Sequence, residues 1–361
     1  RRRLRRARHD ERRRRRRVVL YVLYVPASPR PHRVTFQCHQ PFNHSFGMSL
    51  ASRALAAVVY VSEGKRARVV DVIERVARDA ASRRRGVVLV NVFRDDVYNR
   101  TGFTFAGTEG RDVREASLDV ARASLREIDM RTHGGTHPRV GVVDHVSCHA
   151  LRGAREDAAA LARGIGKGLA SFGVPCALYG DASRDGIGLD EIRRRSGYFS
   201  GSREGTWSGT FTAERGFAFD YGPEEAPESV GFSMVGAVPW VCNYNVPLTF
   251  EFGEDVDEDV RATRALAYGR ALARRVSARG GGLPLVQSMA LPHGDAVEVA
   301  CNLLDTNVSS TADVQRATAA AVADMDAAKH LGEGGAARVG DGYVTNQTPE
   351  TIIAAIDALD T

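Results

Sequence analysis

The sequence contains no run of about 18 apolar residues, the length a membrane-crossing helix needs. It has no Cys-x-x-Cys pair. Its five cysteines (Cys38, Cys148, Cys176, Cys242 and Cys301) are scattered and odd in number, and four fall in apolar or strand-like contexts. They read as buried reduced thiols of an intracellular protein rather than as a disulfide framework. There is no P-loop, no strand-linked Gly-x-Gly-x-x-Gly, no Gly-x-Ser-x-Gly and no His-Glu-x-x-His. Without a recognisable secretory signal, the triplets Asn99-Arg100-Thr101 and Asn307-Val308-Ser309 carry no weight as glycosylation sites.

A net basic charge outside the N-terminus is also missing. Of the net +6, residues 1–47 hold +12, with 14 arginines against Asp10 and Glu11, which leaves −6 for the remainder. A nucleic-acid-binding body loses its main support. Arg1–Arg17 is almost entirely arginine, repels itself and is expected to be disordered. It reads as a polyanion-binding arm, a transit peptide or sequence outside the native protein. Serine is too scarce before Met48 for a transit peptide, and Met48 is the first methionine. An upstream artefact with a native start at or near Met48 is the reading adopted.

From Ala54 the pattern is orderly. An apolar strand at 56–61 precedes a helix at 66–82 with Val69, Ile73, Val76 and Ala77 at helical spacing. Strands at 86–93 and 101–106, a helix at 112–130 and a strand at 140–149 complete a β-α-β-β-α-β unit, the split arrangement of ferredoxin-like folds. A helix at 154–172, a strand at 175–179 and a short helix at 189–195 follow. Residues 197–231 show little periodicity, and so long an irregular stretch is usually functional or mobile. Two short strands within 232–246, a helix at 257–278, strands at 285–291 and 297–304, and helices at 311–329 and 348–359 form a second half of similar build. The glycines at 280–282 read as a helix cap. The expected class is α+β: two ferredoxin-like subdomains, each a mixed or mostly antiparallel sheet with helices on one face, at 48–231 and 232–361 after the 1–47 extension.

The stretch Arg131–Asp144 is where chemistry concentrates. Gly134, Gly135 and Pro138 break regular structure, so His137 sits in a turn between two rigid elements, where functional residues gather. His137 can exchange a proton near neutral pH, and Arg139 can hold a carboxylate. Arg100 ends another loop that the split sheet brings to the same edge. An imidazole flanked by guanidinium groups has its charged form disfavoured and suits a general base beside an anionic substrate. The bland alternative is a set of unrelated surface residues. A metal site among His133, His137, His145, Cys148 and His149 is disfavoured by the intervening glycines and proline and by the lack of a carboxylate at zinc spacing. Asp220–Gly231 reads either as a loop that closes over a ligand or as an acidic linker.

Five motifs then occur in order: Val61-Ser62-Glu63-Gly64-Lys65, Asn99-Arg100-Thr101, His137-Pro138-Arg139, Asp220-Tyr221-Gly222-Pro223 and Asn302-Leu303-Leu304-Asp305. In order and spacing the chain resembles the formiminotransferases, folate-dependent enzymes that in animals are fused to a cyclodeaminase. The resemblance runs from about Ala56 to the C-terminus. It is strongest to the short plant-type relatives, through Gly197-Tyr198-Phe199, Arg203-Glu204-Gly205, Asn243-Tyr244-Asn245-Val246-Pro247 and residues 279–291. It implies transfer of a formimino (or formyl) group between N-formiminoglutamate and N5 of tetrahydrofolate, the latter as co-substrate, with no metal. His137 matches the family's catalytic histidine and Arg100 its active-site arginine. Arg139 is a candidate for the glutamate tail. Gly222, Pro223 and Gly231 belong to a segment assigned to folate binding.

The sequence also departs from the family. Where animal enzymes place an aspartate of the catalytic group, ungapped alignment back from Arg100 puts Phe93, with Asp95 and Asp96 in the same loop as candidate substitutes. No cyclodeaminase domain is expected. Two functions stand: the transferase, or a non-catalytic descendant that binds folate or another protein. The expected partners are folate and a glutamate-derived small molecule, with no nucleic acid; a homodimer is an open assembly. The expected location is cytoplasmic, with peripheral Golgi association or organelle targeting by the N-terminal run as alternatives.

Overall fold

The computed structural model describes residues 53–199, 202–203, 206–208, 217–253 and 256–360. The arginine run, Cys38 and Met48 lie outside them. In chain order the elements are β1 (Ala54–Val61), α1 (Ala67–Ser82), β2 (Val87–Asp95), β3 (Arg100–Gly107), α2 (Gly110–Glu127), β4 (Gly134–Gly135), β5 (Val143–Arg152), α3 (Arg155–Ser171) and β6 (Cys176–Gly180). There follow α4 (Leu189–Arg195), β7 (Ser202–Arg203), β8 (Thr206–Ser208), β9 (Ser233–Ala237), β10 (Cys242–Glu251), α5 (Glu258–Val276), β11 (Val286–His293) and β12 (Ala296–Leu303). The chain closes with α6 (Thr311–Asp324), α7 (Ala327–Leu331), β13 (Ala336–Val339), β14 (Tyr343–Val344) and α8 (Pro349–Asp357).

Two sheets carry the fold, as an α+β protein of two subdomains. The first has the order β2-β3-β1-β5-β9-β6, and the second β11-β12-β10-β13 with β14 also on β10. Each contains a β-α-β-β-α-β run whose strands lie in the order second, third, first, fourth, all antiparallel. Each β-α-β crossover leaves a gap that the third strand fills, as the sequence pattern implies. In the first sheet β9 then adds in parallel to β5 and β6.

Burial follows side-chain alternation along the strands. Leu55, Ala57, Val59 and Val61 of β1, Phe103 and Phe105 of β3, and Val146 and Cys148 of β5 form one core with the inner faces of α1, α2 and α3. Burying a side chain as large as Phe103 or Phe105 is worth about 1.5–3 kcal/mol. On α1 the inward residues are Val69, Val70, Ile73, Ala77 and Ala80, the i, i+3/i+4 spacing of one helical face. A second core joins β10, β11 and β12 to α5, α6 and α7. Cys148, Cys176 and Cys301 are buried free thiols and Cys242 is half-buried. Among the described residues no helix is long and apolar enough to cross a membrane.

Several expectations shift. The passage between sheets lies at 238–241, not at Gly231, because Ser233–Ala237 pairs with β5 and β6 of the first sheet. The helices do not all occupy one face: Ile352 and Ile356 of α8 pack on Ala54, Ala56 and Ala106, on the side of the first sheet opposite α1–α3. The helix expected at 311–329 is two, because Asp326 accepts a hydrogen bond from Lys329 N and starts a new turn after Met325. The strand expected from Val140 begins at Val143; before it, Gly141 bridges to Gly231. The triple glycine does end α5, through a short 3-10 turn closed by Gly281 at φ 86°.

Candidate active site

The same alternation turns Tyr60, Arg100 and His145 to the face of the first sheet opposite α1–α3. Tyr60 and His145 are cross-strand partners whose rings stack at 5.9 Å, and the Arg100 guanidinium lies 4.2 Å from the centre of the Tyr60 ring. Three loops meet at this edge: 62–66 after β1, 96–99 between β2 and β3, and 133–142 before β5.

Asn99 ties them together. It adopts a left-handed backbone at φ 55°, a conformation asparagine tolerates better than most residues. Its Oδ1 accepts from Gly64 N at 2.8 Å and Lys65 N at 3.0 Å, and its Nδ2 donates to Gly134 O at 2.9 Å. Ser62 Oγ donates to Gly141 O at 2.7 Å. Buried Glu63 accepts from Lys65 N at 2.9 Å and Arg66 N at 2.7 Å, which opens α1. Gly64 has no room for a side chain, since a Cβ there would stand 2.1 Å from Asp95 O. The Ser62–Lys65 motif therefore ties the loops of the site together.

His137 and Arg100 meet directly. His137 Nδ1 lies 2.6 Å from Pro138 O, an acceptor, so the proton sits on Nδ1. Nε2 is then the free acceptor of the ring, and Arg100 Nη1 lies 2.6 Å from it and 3.1 Å from Nδ1. Burial, then the Arg100 charge, holds the His137 pKa well below its usual 6.5, so the ring is neutral at pH 7. Tyr98 meets His137 edge to face at 5.4 Å. Ser62, Tyr98, Asn99, Arg100, His137, Pro138, Arg139 and Asp144 line one pocket. Asp144 is buried, accepts from Val140 N at 2.7 Å and faces Arg100 Nη2 at 3.9 Å. Arg139 Nη2 donates to His133 O at 3.0 Å, and burial first of all brings its pKa down to about 10.

The pocket therefore brings Arg100, His137 and Arg139 together. Gly222, Pro223 and Gly231 are not among its lining residues. Gly222 and Pro223 are exposed; Gly231, at φ 70°, abuts Val140 O so closely that a Cβ would fall 2.1 Å from it. Gly231 thus braces the loop that carries Arg139. Of the candidate metal ligands, His133 Nε2 contacts Asn99 O at 3.1 Å, His145 Nε2 contacts the Tyr179 hydroxyl at 2.7 Å, and His149 Nε2 contacts Ser147 Oγ at 3.0 Å. Among the described residues no group of three or more His, Cys, Asp or Glu side chains is arranged to hold a metal ion. Glu204 and Gly205 lie outside the described residues.

Phe93 stands in the cross-strand row Phe93–Gly102–Tyr60, on the face of the site. Neither proposed substitute reaches His137. Asp95 accepts from Tyr98 N at 2.7 Å and contacts His293 Nε2 at 3.0 Å, and Asp96 is exposed. Sequence reasoning missed a second-subdomain contribution here. The Tyr98 hydroxyl donates to Glu298 at 2.5 Å, Asn245 Nδ2 donates to it at 2.8 Å and the Tyr343 hydroxyl at 2.5 Å. No short-range signal marks these partners. Asp144 was within the singled-out stretch, but its role depends on the fold.

Two halves that share one β-α-β-β-α-β strand order, with a histidine–arginine pair on loops at one sheet edge, define a class that the comparisons specify. Residues 54–238, which close where the first sheet closes, match the family model described as formiminotransferase domain, N-terminal subdomain. The chain is 36% identical over 304 residues to the formiminotransferase cyclodeaminase-like protein of Arabidopsis thaliana, covering 82% of this chain and 93% of that one. It is 32% identical to formimidoyltransferase-cyclodeaminase of Sus scrofa over 72% of this chain, and spans 45% of that protein's length. It is 29% identical to glutamate formimidoyltransferase of Thermoplasma acidophilum over 67% of this chain and 74% of that one. The chain belongs to the formiminotransferase family.

Proposed function

We propose that the protein transfers a formimino (or formyl) group from a glutamate-derived donor to N5 of tetrahydrofolate, with His137 as general acid and base. The observation that carries this reading is the neutral His137 imidazole, its Nδ1–H held by Pro138 O and its Nε2 against Arg100. A donor carboxylate that takes over Arg100 releases Nε2. N5 attacks the formimino carbon, and Nε2 accepts the N5 proton. The carbon–nitrogen bond to glutamate then breaks, and Nε2 returns the proton to the departing nitrogen. Arg100 and Arg139 balance the carboxylates. Gly222, Pro223 and Gly231 belong to the segment proposed to meet folate, and the Gly231–Gly141 bridge couples that segment to the His137 loop.

General acid–base catalysis contributes about 10²–10⁴-fold. With tetrahydrofolate and N-formiminoglutamate as substrates, glutamate release should be measurable and should fall by about that factor in His137→Ala. Release that is absent from the wild type, or unaffected by the variant, overturns the proposal.

One observation favours a second reading, a folate- or protein-binding descendant without transfer. Among the described residues no carboxylate hydrogen-bonds His137: Asp95 is committed to Tyr98 and His293, and Asp144 reaches the histidine only through Arg100. Tetrahydrofolate binding without turnover would establish that reading.

A further inference from the structure

Three buried donors near the site have no hydrogen-bond partner among the described residues: Arg139 Nη1, Arg193 Nε and the Tyr198 hydroxyl. Buried polar groups are nearly always paired, so three such groups together call for an explanation. They come from two separate stretches of chain. Arg139 lies on the His137 loop. Arg193 lies on α4 and Tyr198 in the turn after it, with the Arg193 guanidinium 4.7 Å from the centre of the Tyr198 ring.

Packing unites these stretches. Tyr198, only 1% exposed, and Ile192 belong to one apolar cluster with Val140, which follows Arg139, and with Tyr179, whose hydroxyl meets His145. Beyond Tyr198 the chain returns to the same loop, since Trp207 and Ser208 of β8 pair through their backbones with Gly135 and Gly134 of β4. The Arg193 charge acts on Tyr60, His137, Asp144 and His145, all residues of the site. The charges of Arg100, Arg193 and Arg139 all act on one buried carboxylate, Asp144, one of whose oxygens is already held by Val140 N. Among the described residues neither Arg139 nor Arg193 has an acidic partner at ion-pair distance, while Arg100 faces Asp144 at 3.9 Å. Among the described residues the site carries more positive charge and more buried donors than are neutralised, a combination suited to a carboxylate.

We propose that Arg193 and Tyr198, with Arg139, form a subsite for the second carboxylate of a dicarboxylate substrate, and that this subsite sets the preference for glutamate-type donors over their side-chain amides. The inference rests on the transferase reading of the same site. Arg100 takes the carboxylate nearer the reacting carbon, while Arg193 and Tyr198 bind at a distance from His137 and fix specificity without moving a proton. A site built to pair with a charged group leaves its own donors unpaired when that group is absent, so it rejects the amide strongly.

The test separates binding from transfer. The full chain is titrated calorimetrically with N-acetylglutamate and with N-acetylglutamine, which differ only at the side-chain terminus, a carboxylate in one and its neutral amide in the other. The wild type should bind N-acetylglutamate at least about tenfold more tightly, the scale of one charge-assisted hydrogen bond. Arg193→Met and Tyr198→Phe should each remove that preference by weakening N-acetylglutamate and leaving N-acetylglutamine unchanged. Tyr198→Phe deletes one unpaired hydroxyl from the core, so it remains informative if Arg193→Met fails to fold. A preference that survives in the folded variants, or is missing from the wild type, overturns the subsite. If the preference follows Arg193 and Tyr198 but the wild type transfers no formimino group, the subsite stands and the transferase reading falls. If transfer occurs and the preference ignores both residues, the transferase reading stands and the subsite falls.

Discussion

Replacing Asn99 with alanine should loosen the site at the point where its loops are joined. The side chain bonds Gly64 N, Lys65 N and Gly134 O at 2.8, 3.0 and 2.9 Å. Lys65 is exposed, so water can replace its partner; Gly64 is buried, and its N–H would be stranded. A stranded buried donor costs about 1–3 kcal/mol. Alanine at φ 55° adds about 1 kcal/mol of backbone strain. The expected loss is therefore about 2–4 kcal/mol in denaturant unfolding. Asn99→Gly relieves the strain but not the stranded donor, and should fall between alanine and wild type. The Arg100 and His137 loops lose their common anchor, and a displacement of about 1 Å costs on the order of a hundredfold in rate. Asn99→Ala within about 0.5 kcal/mol of wild type, with unchanged activity, would refute the reasoning.

The remaining predictions concern charge and backbone. Because burial and Arg100 hold His137 well below pH 6.5, its imidazole should show no NMR titration between pH 6.5 and 8, and Arg100→Met should move its titration upward; a midpoint near 6.5 in the wild type contradicts the electrostatics. His293 lies between Asp95 and Glu298, at 3.0 and 3.4 Å. Burial pulls its pKa down, but the Asp95 hydrogen bond and the Glu298 and Asp95 charges outweigh this and raise it above 6.5. Its charged form therefore stabilises the fold fully below pH 6.5, and that contribution drains away as pH rises through the higher folded value. His293→Gln should flatten the decline seen in unfolding midpoints from pH 6 to 8.5, and equal slopes would dismiss the effect. Gly231→Ala forces a Cβ to 2.1 Å from Val140 O at φ 70°, and should lower unfolding stability by about 1–3 kcal/mol or more; a neutral result would mean that the Arg139 loop yields.

Local pattern carried much of this architecture. Val69, Ile73 and Ala77 mark α1 by spacing alone, and the broken stretch Gly134-Gly135-Thr136-His137-Pro138 announces a loop between rigid elements. Arg100 and His137 could be paired from sequence because the split β-α-β-β-α-β order places both loops at one edge. Other features depend on contacts that no local window contains. Tyr98 and Glu298 are 200 positions apart, and Asp95 and His293 are 198 apart. Ser233–Ala237 is short and follows an irregular stretch, so only its parallel pairing assigns it to the first sheet. The α6–α7 break turns on one capping side chain, Asp326, inside an alanine-rich run that reads as continuous. Arg193 and Tyr198 sit in and after a short helix; Gly197-Tyr198-Phe199 marks only a family resemblance in the sequence, and a place for both residues beside the site appears only when Tyr198 packs with Val140 and Tyr179.

The central claim is that neutral His137 moves a proton during formimino transfer. Its most direct test is single-turnover glutamate release from N-formiminoglutamate by the full chain with tetrahydrofolate, in wild type and in His137→Ala, with folate affinity measured in both. The account predicts release by the wild type, a loss of about 10²–10⁴-fold in the variant, and little change in folate affinity. Equal release by both proteins, or tight folate binding with no release by the wild type, would contradict it.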